Sequence, residues 1–169
     1  MSVFGGDFAT GSTSYPEIRE AVKALCSEFP HSYWDEADET NSYPAEFVKA
    51  LQEAGYLSIL VPEEYGGSGL PLSAACAVLE EIHASGGNGG AAHAQMYTMG
   101  TLLYHGTEEQ KQRWLPGIAA GEIRLQAFGV SEPNSGTDTL SLQTMVCSPN
   151  PNRFAPVALI CIVVVSLCV

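Results

Sequence analysis

Basic residues are scarce in this chain of 169 residues: seven Lys and Arg stand against nineteen Asp and Glu, a formal net charge of −12 at pH 7. The diffuse positive field that gathers phosphate backbones is missing, which removes nucleic-acid binding from the readings. The five cysteines (Cys26, Cys76, Cys147, Cys161, Cys168) are an odd number with no C-x-x-C pair, and there is no N-x-Ser/Thr sequon. A disulfide framework is therefore not expected, and a reducing interior is. The N-terminus shows neither the basic flank and apolar run of a secretory signal nor the Arg-rich amphipathic pattern of a transit peptide. Cytoplasm is the expected location, with a mitochondrial matrix form as second choice.

Motifs for several chemistries are missing too. His31, His83, His93 and His105 lie ten or more residues apart, without an H-x-x-x-H pair or thiolates at zinc spacing, so no metal site is expected. His93 sits among small residues, where a polar ring needs a partner or a cavity. No G-x-S-x-G occurs, which leaves nucleophilic hydrolase chemistry without support. Gly87, Gly89 and Ala92 spell G-x-G-x-x-A, but what precedes them reads as a helix. A dinucleotide fingerprint needs a strand there, and the glycines read as an inter-helix turn. Most carboxylates read as solvated surface; Glu80 and Glu81 are adjacent on one helix and cannot both face a core.

With 46% apolar residues the chain can bury one core. Residues 1–14 are rich in Ser, Thr and Gly and read as disordered. Pro16 suits the first turn of a helix that carries Ile18, Val22, Leu25 and Phe29 at the 3.6 period until Pro30. Tyr33 to Thr40 has no period and reads as a loop or short helical turn. Pro44 opens a helix with Phe47, Leu51 and Ala54 on one stripe, closed by Gly55 at a left-handed cap. Tyr56 to Val61 is a short apolar run that ends at Pro62, and Gly66 to Gly69 form a loop.

Leu72, Ala75, Cys76, Leu79 and Ile82 fit a further helix. Ala92, Met96, Met99 and Leu103 fit the next, ended by Gly106. Thr107 with Gln110 makes a capping box at the start of another, which Pro116 should break or restart and Gly121 should close. Leu125 to Val130 is the first segment that reads more easily as strand. The body is thus mainly α, about five helices followed by the opening of a β-structure.

The stretch Ala127 to Asp138, A-F-G-V-S-E-P-N-S-G-T-D, runs from a strand end into hydroxyl, acid, Pro and Gly residues that offer peptide N–H groups and short hydroxyls to a planar or anionic ligand. On chemistry alone it reads as an ordinary turn before it reads as a site. Val130 to Asp138, however, resembles the V-T-E-P-x-x-G-S-D flavin-contacting signature of acyl-CoA dehydrogenases. Gly106 to Glu122 and Gly55 to Gly69 are similar to two earlier segments of that family, in the same order and spacing.

The resemblance spans roughly residues 15–144. It implies an N-terminal helical domain of the acyl-CoA dehydrogenase type at 15–122 and the start of a middle β-barrel domain at 123–144, with only its first strand. It implies FAD, contacted by Phe128, Gly129, Val130, Ser131, Glu132, Pro133, Asn134, Ser135, Gly136 and Thr137. Val130 and Ser131 would lie beside the reactive end of the isoalloxazine, and the Thr137 hydroxyl would approach the acyl-CoA. The helix holding Gly89 to Thr98 would line the acyl pocket. The family reaction is α,β-dehydrogenation of an acyl-CoA thioester, a carboxylate taking the α-proton while hydride passes to flavin N5 and on to an electron acceptor.

After Thr144 nothing matches the family. The remaining barrel strands and the C-terminal bundle, with its catalytic base and much of the oligomer interface, have no counterpart here. No carboxylate in 1–169 takes the base's place by motif, so no catalytic residue is assigned and these residues alone are expected to be inactive, their hold on FAD weak or absent. Residues 145–169 carry one Arg and no acid, and Val157 to Val169 are thirteen residues without a charge. That is short of the roughly twenty that span a bilayer. Ectopic or out-of-frame coding that would promote aggregation is the expectation, ahead of a membrane anchor. The competing reading of the whole is a non-catalytic helical interaction module, presenting its acidic surface or held on a membrane by the tail.

Overall fold

The computed structural model describes residues 14–125 and 131–143, together with the backbone of 165–166. Among them are six α-helices, three short 3₁₀ turns and two short strands. Helix α1 (Pro16–Ser27) starts at its proline and buries Val22 and Cys26, with Ile18 and Leu25 packed beside them. It stops short of Phe29 because the amides of Glu28 and Phe29 turn back to carbonyls only three residues earlier, Leu25 and Cys26.

The segment expected to be a loop or short turn is a nine-residue helix, α2 (His31–Glu39). It buries no residue outright, which is why no stripe marks it. What holds it is one aromatic edge: Tyr33 and Trp34 meet Phe29 and Phe47 edge to face, with ring centroids 4.8 to 5.2 Å apart. Helix α3 (Ala45–Glu53) buries Phe47, Val48 and Leu51, and Gly55 closes it at φ +80°.

From Gly55 the chain runs through the turns Tyr56–Ser58 and Glu63–Tyr65. Ile59 enters the core formed by α1, α3, α4 and the start of α5, while Val61 enters a second core of Met99, Leu115, Ile118 and Leu125; Leu60 between them packs against both. Gly67 is obligatory in the following loop, since a Cβ there would stand 2.1 Å from the Val61 carbonyl oxygen.

Helix α4 (Leu72–Ala84) keeps Ala75, Leu79 and Ile82 of the expected stripe against the core, but its inward face is shifted toward Ala74, Ala77 and Val78. Ala74, Ala75, Ala77, Val78 and Ile82 are buried, whereas Leu72 and Cys76 are exposed. Alanines on both sides make the stripe ambiguous, and close approach to α1 selects the small face. Glu80 and Glu81 are not simple solvated surface either: both are taken up by Arg19 of α1, and Glu81 is 20% exposed.

Helix α5 (Gly90–His105) buries Ala92, Gln95, Met96, Thr98 and Met99. The glycine turn before it follows helix α4, not a strand. Helix α6 (Glu108–Ala119) begins at the expected capping box: Thr107 N–H donates to Gln110 Oε1 at 2.9 Å and Gln110 N–H to Thr107 Oγ1 at 3.3 Å. Pro116 neither breaks nor restarts it. It falls in the last turn, where its missing N–H leaves only the carbonyl of Gln112, on the exposed face, without a partner four residues on. Gly121, at φ +79°, ends the turn.

Strand β1 (Arg124–Leu125) follows, and pairs antiparallel with β2 (Val165–Ser166), Arg124 opposite Ser166 and Leu125 opposite Val165. Among the described residues no helix is long and apolar enough to cross a membrane.

Candidate functional site

Of the ten residues expected at a flavin, Phe128, Gly129 and Val130 lie outside the described residues. The other seven form one tight turn. Glu132 N–H donates to Ser135 O at 2.8 Å and Ser135 N–H returns to Glu132 O at 3.1 Å, an antiparallel bridge with Pro133 and Asn134 at its tip. Pro133 cannot donate, so it suits the tip of such a turn.

Side chains hold the turn from within. The buried Ser135 hydroxyl donates to the Asp138 carbonyl, the Ser141 hydroxyl donates to the Asp138 carboxylate, and Glu132 Oε2 accepts from the Gln143 N–H at 2.8 Å. Both carboxylates of the segment thus take part in shaping it. Ser131, Asn134, Gly136 and Thr137 are exposed, and a Cβ at Gly136 would meet nothing within 4 Å. Among the described residues the turn therefore presents the hydroxyls of Ser131 and Thr137 on its exposed side.

The strand leading toward this turn is fixed to the helical body. Thr98 Oγ1 lies 3.0 Å from the Leu125 carbonyl oxygen and 2.7 Å from that of Ala94, so its one proton is shared between strand and helix. Arg124 Nη1 donates to Tyr43 Oη at 3.0 Å. On α5, His93 is exposed rather than enclosed, its ring edge to face with Tyr97 at 5.1 Å. On the far side of the same helix, Thr98, Leu102, Trp114, Ile118, Ile123 and Leu125 border a groove of about 360 Å³. No sequence pattern marks that groove, because α5, α6 and β1 each contribute only part of a wall. Trp114 was the available signal: Arg113 stacks over its indole at 4.7 Å, and only part of the ring is covered.

Residues 12–122 match the family model described as "Acyl-CoA dehydrogenase, N-terminal domain". The chain belongs to the acyl-CoA dehydrogenase family. It is 36% identical over 133 residues to the probable acyl-CoA dehydrogenase YngJ of Bacillus subtilis, covering 78% of this chain and 35% of that one. Two solved acyl-CoA dehydrogenases share its fold. A glutaryl-coenzyme A dehydrogenase in complex with glutaryl-CoA superposes at TM-score 0.65 with 27% identity, over 75% of this chain and 33% of that one. An acyl-CoA dehydrogenase from Bacillus anthracis complexed with FAD superposes at 0.60 with 27% identity, over 75% and 22%. The chain thus spans about a third of the length of the curated relatives it matches.

For an acyl-CoA dehydrogenase the mainly helical architecture is the one expected of the N-terminal domain, with β1 at its exit. The matched residues end at Glu122, two residues before β1 begins.

Proposed function

We propose that this chain supplies the helical wall and the first flavin-contacting turn of an FAD-dependent acyl-CoA dehydrogenase, and that its 169 residues do not turn over by themselves. The observation that supports this most is the outward-facing turn 131–137, carrying an acyl-CoA dehydrogenase flavin motif at the exit of the family's helical domain. The donor set fits FAD: exposed hydroxyls and peptide groups line the turn, its carboxylates are occupied internally, and the space over Gly136 is open. Bound there, FAD would supply the hydride acceptor for the acyl β-carbon.

The chain's own part is to bind and to orient. Ser131 would hold the isoalloxazine edge through its hydroxyl, together with Phe128, Gly129 and Val130 before it and Glu132 to Gly136 after it. Thr137 would reach the acyl-CoA. The exposed face of α5 around His93 and Tyr97 would wall the acyl chain. In domain terms, 15–122 is the helical unit, 123–144 opens the β-domain, and 145–169 lies outside the family pattern. The partners of the working enzyme are an acyl-CoA and an electron acceptor, and its proposed place is the cytoplasm.

The test joins residues 1–144 to the remaining sequence of the B. subtilis relative and compares that chimera with the 169-residue chain. The chimera should purify yellow and reduce an artificial acceptor with an acyl-CoA, and Ser131→Ala or Thr137→Ala should lower kcat or FAD retention by about tenfold. The 169-residue chain should show no turnover. A folded, colourless chimera, or one indifferent to both substitutions, would refute the assignment and leave the interaction-module reading in its place.

A further inference from the structure

Five asparagines occur in the chain, and one of them, Asn88, is followed by glycine. The pair stands in the turn between α4 and α5, where packing favours that glycine. A Cβ at Gly89 would stand 2.8 Å from His83 Nε2, and the imidazole would have to move. Without a side chain to shield it, the Gly89 peptide nitrogen is the least hindered nucleophile a main chain can offer to the Asn88 side-chain carbon.

Asn88 is exposed, and its Oδ1 accepts from the Gly90 N–H at 2.8 Å. That N–H is one of the donors left open at the start of a helix, here α5. The oxygen it holds is the one that gains negative charge when a nucleophile adds to Asn88 Cγ, so the bond strengthens as addition proceeds. Water reaches the turn through a polar cleft of about 640 Å³, bordered by the exposed residues Asp38, Asn41, Ser42 and His83 and by Asn88 itself.

We propose that Asn88–Gly89 is a self-modification site of the folded chain, at which Asn88 is converted to aspartate and isoaspartate through a cyclic imide. The Gly89 nitrogen bonds to Asn88 Cγ and gives up its proton; the Cγ–Nδ2 bond breaks, and Nδ2 leaves with that proton as ammonia. Water then opens the imide at either carbonyl, and no oxidant or other reactant is needed. Both products place a carboxylate ahead of α5, whose first turn carries no acid. Aspartate keeps the ordinary linkage and adds charge at the helix end that favours anions. Isoaspartate lengthens the main chain by a methylene just before the helix. This inference stands apart from the flavin assignment and does not depend on it.

The native 169-residue chain, held for days at neutral pH and then digested for peptide mass mapping, reads it directly. Asn88 should turn to acid at least about tenfold faster than Asn41 and Asn134, which are followed by serine. Part of the product should be isoaspartate, labelled by a protein-isoaspartate methyltransferase. Hydroxylamine, which attacks imides, should cut the native chain between Asn88 and Gly89. Asn88→Gln should abolish that cut, because its longer side chain closes a larger ring more slowly. An Asn88 that stays an amide in the native protein, whether or not a parallel sample in urea converts, would overturn the proposal. So would a cut retained in Asn88→Gln, or conversion to aspartate without any isoaspartate, which is direct hydrolysis.

Discussion

Arg19 on α1 grips Glu81 on α4, Nη1 to Oε1 at 2.8 Å, while its second arm reaches Glu80 Oε2 at 2.5 Å. The Arg19 side chain is 13% exposed, and its two carboxylate hydrogen bonds hold it firmly charged. Charge-assisted bonds in such partly dry sites contribute more than surface ion pairs. Urea titration should show Arg19→Ala less stable by about 2 kcal/mol. Arg19→Lys should recover under half of that, because a single ammonium does not reproduce the planar fork. Glu80→Gln, at the wetter arm, should change stability by no more than about 0.5 kcal/mol; an equal loss at Glu80 and Glu81 would contradict this ranking.

Two glycines should respond to alanine with opposite sign. At Gly67 the added methyl would collide with the Val61 backbone, at 2.1 Å from O and 2.6 Å from C. Backbone cannot step aside as a side chain can, and a loss of about 1–3 kcal/mol is expected. Gly100 is inside α5 with nothing within 4 Å of a Cβ. Gly100→Ala should stabilise by about 0.5–1 kcal/mol, since it removes backbone freedom from the unfolded chain. Thermal melts of the two variants decide it.

The start of α6 should be sensitive to its cap and to acid. Thr107→Ala leaves the Gln110 N–H without its side-chain acceptor and should cost about 1 kcal/mol. Just inside the helix, Glu108 bonds Lys111 at 2.9 Å, which holds its carboxyl below the ordinary value, and it also accepts from Tyr65. A depressed carboxyl stabilises the fold above its unfolded-state pKa, and that contribution fades as pH falls through the folded-state value. The small difference between wild type and Glu108→Gln should therefore be present at neutral pH and vanish in acid; urea midpoints at the two pH values test the sign.

Cys26 and Cys76 should differ sharply toward alkylation. Cys26 is buried, and burial pushes its thiol up despite the Ser85 hydroxyl; Cys76 is exposed on α4. Since the thiolate is the nucleophile, iodoacetamide at neutral pH should label Cys76 in the native protein and Cys26 only after denaturant is added. A raised thiol favours the fold below its unfolded-state pKa and ceases to do so as pH climbs through the folded-state value, so Cys26 adds an alkaline limit to stability. Peptide mass mapping with and without urea checks the order of labelling.

Elements with punctuation were legible from the residues alone. Pro16, Gly55, Gly106, the Thr107–Gln110 box and Gly121 all mark the ends they were expected to mark. Helix α2 escaped because periodicity reports burial, and α2 is held by two aromatic rings on one edge with no residue fully inside. On α4 the stripe was right at Ala75, Leu79 and Ile82 and wrong at Leu72 and Cys76, because alanines at 74 and 77 fit the core as well. Pro116 misled because its cost depends on where in the helix it falls and on which carbonyl it orphans.

The turn 131–137 illustrates a different limit. Its residue types predict a turn, and the bridge of Glu132 with Ser135 is that turn; only the resemblance to a known motif pointed beyond it. The groove had no periodic signature beyond the lone Trp114, since Leu102, Trp114 and Leu125 are brought together by tertiary packing.

Ile59, Leu60 and Val61 stitch one core to the other within three consecutive residues. Neither cluster can loosen without pulling on a side chain that the other is gripping, so the boundary between them is not a seam along which the body comes apart in stages. Melting becomes a single event for the entire helical unit, and the size of that cooperative unit is set by a run too short to register as an element of structure.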